Sequence, residues 1–173
     1  MECLIPGLIL VGLMIYASTR LKRATADAFD RETIETEEFY IQKPEGFLHN
    51  LHPDPEYVFE AYSKEFSREH PDIRIGTARI KKFVGESVER VAVKVLGSDY
   101  IPEGYSLEDY LDTSDKRLYS FDVIRREDGG VQTETHYKFG EAYGSVYVLE
   151  VRALEGSWDD QWVEAFFDSF RIK

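Results

Sequence analysis

The sequence is poor in cysteine and in basic residues. Cys3 is the one cysteine, so neither an intramolecular disulfide nor a cysteine metal cage can form. Lysine and arginine number 21 against 33 aspartates and glutamates, which leaves a net charge of -12. A chain of this charge repels a phosphate backbone. These two shortages exclude a disulfide-stapled secreted scaffold and argue against nucleic acid as a partner.

Apolar residues are plentiful by contrast. The 173 residues are 43% hydrophobic and 14% aromatic. This length corresponds to one domain, and this composition supplies enough apolar surface for a buried core. We therefore expect one folded domain.

The amino terminus is a long uncharged run. No charged residue occurs between Glu2 and Arg20. As a helix, residues 3–21 would be roughly 28 Å long, close to the roughly 30 Å hydrocarbon layer of a bilayer. We predict a single-pass membrane anchor over residues 1–23. The anchor residues of this prediction are Leu4, Gly7, Gly12 and Tyr16, with Tyr16 near an interface.

Two alternatives to an anchor are open for this run. A cleaved signal peptide usually has basic residues first and a cleavage site between small residues, but Glu2 is the only early charge and residues 15–17 make a poor site. A buried helix of a water-soluble domain usually has one polar face, whereas this run is apolar nearly all round. Both fit less well than the anchor.

Basic residues follow the apolar run directly and predict its orientation. They are Arg20, Lys22 and Arg23. Because cytoplasmic flanks of membrane spans hold the excess of lysine and arginine, we expect the domain on the cytoplasmic side of the membrane. Residues 24–38 are predicted to be a helical and then acidic linker, and residues 39–173 the folded domain.

From Phe39 onward the hydrophobic period is mainly two, which indicates strands. Residues 39–43 predict a strand closed by a turn at 44–46. Residues 118–127, 131–139 and 145–154 predict a three-stranded antiparallel meander, whose first turn holds Gly129 and Gly130. Residues 73–83 and 90–96 predict a further hairpin. The expected fold class is α+β, an antiparallel sheet flanked by helices.

Three stretches are predicted to be helices. Residues 57–66 have helical spacing, although they are also rich in strand formers, and 106–112 predict a short helix. The last helix is expected to begin with Ser157 and Asp160 as a capping box. Its aromatic residues recur every fourth position, which predicts a buried face. They are Trp158, Trp162, Phe166 and Phe170.

The order of these elements resembles the PsbP family, the extrinsic proteins of photosystem II and their bacterial relatives. Three segments carry the resemblance: Phe39-Tyr-Ile-Gln-Lys-Pro-Glu-Gly-Phe47, Ser145-Val-Tyr-Val-Leu-Glu-Val-Arg152, and Trp158 with Phe166-Phe-Asp-Ser-Phe-Arg-Ile172. It covers residues 37–173. It implies an α/β/α sandwich and a role as an accessory or assembly subunit of a membrane complex, without catalysis of its own.

Candidate chemistry in the sequence is sparse. His49 and His52 are three residues apart, and Asp54 and Glu56 could complete a metal shell, although a solvated loop explains the same residues. Ser87 lacks the second glycine of a nucleophile elbow. The acidic run 32–38 lacks the spacing of a calcium loop and is interpreted as a solvated spacer.

Two functions follow as hypotheses. The first is a non-catalytic accessory or assembly subunit, anchored in the lipid bilayer and bound to a larger membrane protein complex, with no cofactor and no enzymatic activity. The alternative is a domain that binds a small ligand or a metal through the loop from His49 to Glu56, with or without enzymatic activity.

Overall fold

The computed structural model describes residues 4–97, 116–121, 131–157 and 159–173, with backbone alone at 4–8 and 116–121. Within these residues the fold is α+β, with two antiparallel sheets and three helices. In chain order the elements are α1 (Leu4–Asp27), β1 (Glu32–Glu35), β2 (Phe39–Lys43), β3 (Phe47–His49), β4 (Phe59–Ser63), β5 (Gly76–Val84), α2 (Val88–Leu96), β6 (Lys116–Phe121), β7 (Thr133–Ala142), β8 (Ser145–Leu154), α3 (Asp160–Ser169) and β9 (Arg171–Ile172).

The larger sheet has six strands in the order β3-β4-β5-β8-β7-β6. The predicted meander is confirmed, because β7 pairs antiparallel with both β6 and β8. Along β7 the predicted core side is buried, whereas Glu134, His136 and Lys138 between the buried residues are only partly so. The predicted turn at Gly129 and Gly130 and the predicted helix 106–112 lie outside the described residues.

The smaller sheet has the order β1-β2-β9. Its central strand β2 has the predicted bounds, and Gly46 turns the chain after it with a φ of 80°, a conformation that glycine adopts without strain. The acidic run, however, is not a spacer. Residues 32–35 form β1, which pairs with β2 and places Ile34 opposite the fully buried Ile41.

The six-stranded sheet is packed on both faces. On the face covered by α3 and β2, here called the α3 face, Leu149 and Val151 pack with Phe166 and Phe170. On the opposite face, here called the α2 face, the partners from β7 and β8 are Tyr137, Phe139, Val146 and Val148, and α2 covers them. The predicted burial of the aromatic α3 side is confirmed at Phe166 and Phe170, and Trp158 lies outside the described residues.

The predicted helix over residues 57–66 is wrong. Residues 59–63 form β4, which pairs with β3 and β5. Phe59 and Ala61 are buried on one side of the strand and Glu60 is buried on the other. A strand buried on both sides shows no regular alternation of apolar and polar residues. The spacing of the aromatic residues in β4 therefore matched the pattern of a helix.

The predicted strand over residues 90–96 is also wrong, because residues 88–96 form α2. Ser87 caps this helix by accepting a hydrogen bond from the Arg90 backbone N–H, so its hydroxyl stabilises the start of α2. The strand at 73–83 does exist as β5, paired with β4 and β8. At α3 the cap is Asp159, which accepts from the Gln161 backbone N–H, in place of the predicted Ser157.

Gly76, the first residue of β5, lies against the edge-to-face pair of Phe47 and Trp162. A Cβ on Gly76 would meet Phe47 Cζ at 3.1 Å and Trp162 Cζ3 at 3.3 Å. We expect Gly76→Ala to lower the free energy of unfolding by about 1–3 kcal/mol, since both rings are packed in place. Urea denaturation measures this. Gly12→Ala is the control, because nothing lies within 4 Å of that Cβ, and an equal effect there would contradict the packing argument.

Glu38 joins the start of β2 to the large sheet. Its carboxylate accepts hydrogen bonds from Lys82 Nζ and, at 2.9 Å, from Tyr147 Oη. The hydrogen bond from Lys82 holds the pKa of Glu38 below its ordinary 4.5, although burial partly opposes it. The stability that this lowered pKa contributes is present above the ordinary value and is lost as the pH falls through the folded value.

We therefore expect Glu38→Gln to destabilise the protein at pH 7 and to match the wild type at acidic pH. The loss at pH 7 should stay below about 1 kcal/mol, since the Glu38 side chain is 43% exposed and solvent screens the pair. Denaturation curves from pH 7 down to about pH 3 measure the difference. A penalty for the variant that stays constant across this range would show that ionisation of Glu38 is irrelevant.

Candidate functional site

Helix α1 presents an unusual surface. Every residue from 9 to 27 is exposed, and the first half of this stretch is apolar. Leu10, Leu13 and Ile15 are 61%, 59% and 62% exposed. Folded domains seldom leave a contiguous apolar surface of this kind in water, so such a surface indicates a binding role.

The apolar side chains surround α1 and do not form a stripe along one side. Residues 9–17 contain no charge, and basic residues first appear at Arg20, Lys22 and Arg23. In the part of the chain that the structure describes, no helix reaches the combined length and hydropathy required to cross a membrane. The predicted single-pass crossing by residues 1–23 is therefore not supported by the described residues. The predicted helix itself is present as α1.

The end of α1 is fastened to the small sheet by a buried lysine. Lys43, at the end of β2, is fully buried. Its Nζ donates to the carbonyl oxygens of Ala28 at 2.5 Å and Phe47 at 2.9 Å. Burial lowers the pKa of Lys43, and the charges of Glu32 and Asp30 oppose this in part. Because both carbonyls are held by one side chain, the chain leaving α1 is fixed against the turn between β2 and β3.

A second notable surface is a row of charged residues across the α2 face. Arg79 on β5 lies between Glu60 on β4 and Glu150 on β8. Its Nε donates to Glu60 Oε1 at 2.9 Å, and one terminal nitrogen is 3.9 Å from Glu150 Oε1. Glu60 is buried and also accepts from Asn50 Nδ2 at 2.8 Å. The guanidinium of Arg79 is thus held in one orientation.

On one side of this row lies a cavity of about 460 Å³, here called the arginine pocket. Its polar lining is Arg74, Thr77, Arg79, Thr133 and Arg152, with Asp72 as the acidic member. Its apolar lining includes Phe66, Ile73, Ile75, Val131 and Leu154. The pocket therefore combines three arginines with an apolar wall, in a protein whose overall charge is strongly negative.

On the other side of the row lies a groove of about 560 Å³ whose cations already have partners. Lys81 Nζ is 2.7 Å from Glu56 Oε2, and Lys94 Nζ is 2.5 Å from Glu86 Oε2. Any ligand anion would have to compete with these carboxylates, and Arg79, which lines both cavities, is likewise paired with Glu60. In the arginine pocket, however, Arg74 donates to the Ser63 carbonyl and has no carboxylate partner among the described residues, so this pocket is the better candidate for binding.

The histidines predicted to hold a metal serve local contacts. The ring of His49 stacks on Phe59 with centroids 5.1 Å apart, and burial lowers the pKa of His49. His52 is exposed, and its backbone N–H donates to the side chain of Asn50. Among the described residues no group of three or more histidine, cysteine, aspartate or glutamate side chains is placed to hold a metal ion. The His49 and His52 site stays a prediction.

Sequence reasoning missed both the charged row and the arginine pocket. Arg79, Thr133 and Arg152 lie on three different strands, and Arg74 precedes β5 in the chain. Only the pairing register brings them together, since Thr77 is opposite Arg152 and Thr133 is opposite Leu154. No spacing in the sequence signals such a set.

Comparison with known proteins finds a weak likeness to a solved structure. No family model matches the chain, and no curated protein matches it significantly. A crystal structure of a protein from Bacteroides thetaiotaomicron VPI-5482 is similar over 84% of this chain, with 15% identity and a TM-score of 0.46. The chain spans about half of that protein, 49% of its length.

Proposed function

We propose that the chain is a membrane-tethered, non-catalytic accessory or assembly subunit. In this proposal α1 lies in the lipid bilayer, and the sheet domain binds a larger membrane protein complex. The observation that carries it is the unbroken exposure of residues 9–27, apolar in its first half, on a helix that the domain holds at one end.

Lipid suits α1 better than the groove of a partner protein does. A helix that docks in a groove buries one apolar face and keeps a polar face toward water. Leu10, Leu13 and Ile15 instead point around the helix, at about 100° per residue, and all are exposed. The acyl chains of a bilayer surround a helix and would bury the apolar side chains on all sides of α1. The basic residues that follow complement anionic headgroups.

How deeply α1 enters the bilayer is a more specific part of this proposal. The uncharged part of the described helix, residues 4–19, is about 24 Å long, which is shorter than the roughly 30 Å hydrocarbon layer. A membrane tether requires only that this segment is buried in lipid, not that it crosses the whole bilayer. The single-pass crossing with the domain on the cytoplasmic side is the most specific form, and protease protection in sealed, right-side-out vesicles tests it, because a cytoplasmic domain should resist digestion.

The absence of catalysis in this proposal is supported by what the candidate groups do. Ser87 caps α2, and His49 stacks on Phe59. Both side chains therefore have a structural contact in the fold. The proposal also keeps the resemblance to the PsbP family, and helices on both faces of the large sheet support its α/β/α sandwich.

Sizing under native conditions tests the accessory role. The chain is extracted from its source membranes in a mild detergent and separated by size. We expect it in an assembly much larger than itself. Recovery as a free monomer under conditions that keep other membrane complexes intact would contradict the accessory role, and would favour the alternative of a small-ligand or metal-binding domain.

A further inference from the structure

We propose that the arginine pocket binds a small organic anion, a molecule with one carboxylate or phosphate group and an apolar body. This inference concerns the α2 face of the large sheet and is independent of whether α1 enters lipid. It rests on three features of the pocket: oriented arginines, buried hydroxyls without partners, and an apolar wall.

The arginines are oriented before any ligand arrives. One terminal nitrogen of Arg74 donates to the Ser63 carbonyl at 2.6 Å, and its guanidinium carbon lies 4.5 Å from the centre of the Phe66 ring. Arg79 is fixed by Glu60 at 2.9 Å. A guanidinium has five N–H donors, so each of these arginines keeps donors for a ligand. Planar arginine donors match the paired oxygens of carboxylate and phosphate.

Two hydroxyls in the same pocket lack a hydrogen bond. Over the part of the chain that is described, the Oγ1 atoms of Thr77 and Thr133 are the buried side-chain polar atoms without a partner. Thr133 is only 4% exposed. Buried hydroxyls normally find a partner, because leaving one unpaired is unfavourable. An oxygen of a bound anion would accept from them.

The rest of the pocket requires an apolar body on the ligand. Ile75 and Leu154 contribute to its wall. A volume of about 460 Å³ lies within the range of small-molecule sites, which run to roughly 300–1,000 Å³. An inorganic ion would leave most of this wall uncovered. A compound with a single ring or a short alkyl chain attached to the acid group fits both parts.

Calorimetric titration of the full chain in a non-ionic detergent tests the proposal. The probes are phenyl phosphate, benzoate and the neutral benzyl alcohol. We expect at least one anion to bind about 10-fold more tightly than benzyl alcohol, and the two anions distinguish a phosphate site from a carboxylate site. Arg74→Gln should weaken that binding about 10-fold, whereas Arg90→Gln, at an exposed position on α2, should leave it unchanged.

Thr133→Val separates binding from folding. Because the Thr133 hydroxyl has no partner in the described structure, its replacement by a methyl group should leave the melting temperature equal or higher, while anion binding falls about 3- to 10-fold. The proposal is overturned if neither anion binds at millimolar concentration, if benzyl alcohol binds as tightly, or if Thr133→Val binds the anion like the wild type.

Discussion

Phe166→Ala is expected to lower the free energy of unfolding by about 3–5 kcal/mol. Phe166 is in the middle of α3 and is 0% exposed. Its ring is 5.8 Å from that of Phe59 on β4 and 6.0 Å from that of Phe167. Truncation would open a cavity between the helix and the large sheet that the packed rings cannot fill.

Equilibrium denaturation in urea, followed by circular dichroism, measures this loss. Since domains of this size have a stability of about 5–15 kcal/mol, the variant should unfold at a much lower urea concentration. Val84→Ala is the matched control, because Val84 is 72% exposed and should change stability by less than about 0.5 kcal/mol. Equal midpoints for Phe166→Ala and the wild type would mean that α3 is not packed as described.

Replacing Leu10 and Leu13 of α1 by lysine is expected to weaken the proposed binding to lipid vesicles by more than about 100-fold. Leu10 and Leu13 are exposed on the helix, so substituting them leaves the core of the domain untouched. A leucine-to-lysine change in the middle of a lipid-buried helix costs about 3 kcal/mol. If snorkelling removed half of the cost of two such changes, partition into vesicles would still fall more than about 100-fold.

Titration with lipid vesicles measures the partition constant of the variant that carries Leu10→Lys and Leu13→Lys. The control variant carries Leu10→Ile and Leu13→Ile, which keeps the apolar surface and should bind as the wild type does. Circular dichroism should show that all three proteins are folded. A partition constant for the lysine variant within a few-fold of the wild type would show that α1 does not enter lipid.

The parts of the fold that sequence reasoning predicted have one feature in common, a strong periodic pattern with clear turn residues. In β7 the buried Thr135 and Tyr137 alternate with Glu134 and His136, which lie partly toward solvent. The strand β2 ends at the turn through Gly46. In these elements local propensity and tertiary packing favour the same structure, so the pattern was sufficient.

The wrong predictions fall where two signals competed. Valines at 91, 93 and 95 alternate as in a strand, yet Val91 and Ala92 are buried together, with Leu96 one turn further, as on one helix face. The caps at Ser87 and Gly97 favour the helix over the β-branched residues between them. In β4 both sides of the strand are buried, so its sequence lacks the alternation of apolar and polar residues that would have predicted a strand.

The two candidate surfaces differ in how far the sequence could reveal them. Helix α1 could be predicted because its apolar character is continuous in the chain. The arginine pocket could not, because Arg79, Thr133 and Arg152 meet only through the register of β5, β8 and β7. A shift of that register by one residue would send each side chain to the other face of the sheet.

Flotation with lipid vesicles tests directly whether α1 lies in lipid. The full chain is transferred from detergent into neutral phosphatidylcholine vesicles, at a salt concentration of about 0.5 M that screens surface charges, and is then centrifuged beneath a density gradient. We expect the protein to rise with the vesicles and the variant with Leu10→Lys and Leu13→Lys to stay at the bottom. A wild-type chain that remains folded at the bottom, apart from the lipid, would contradict this expectation.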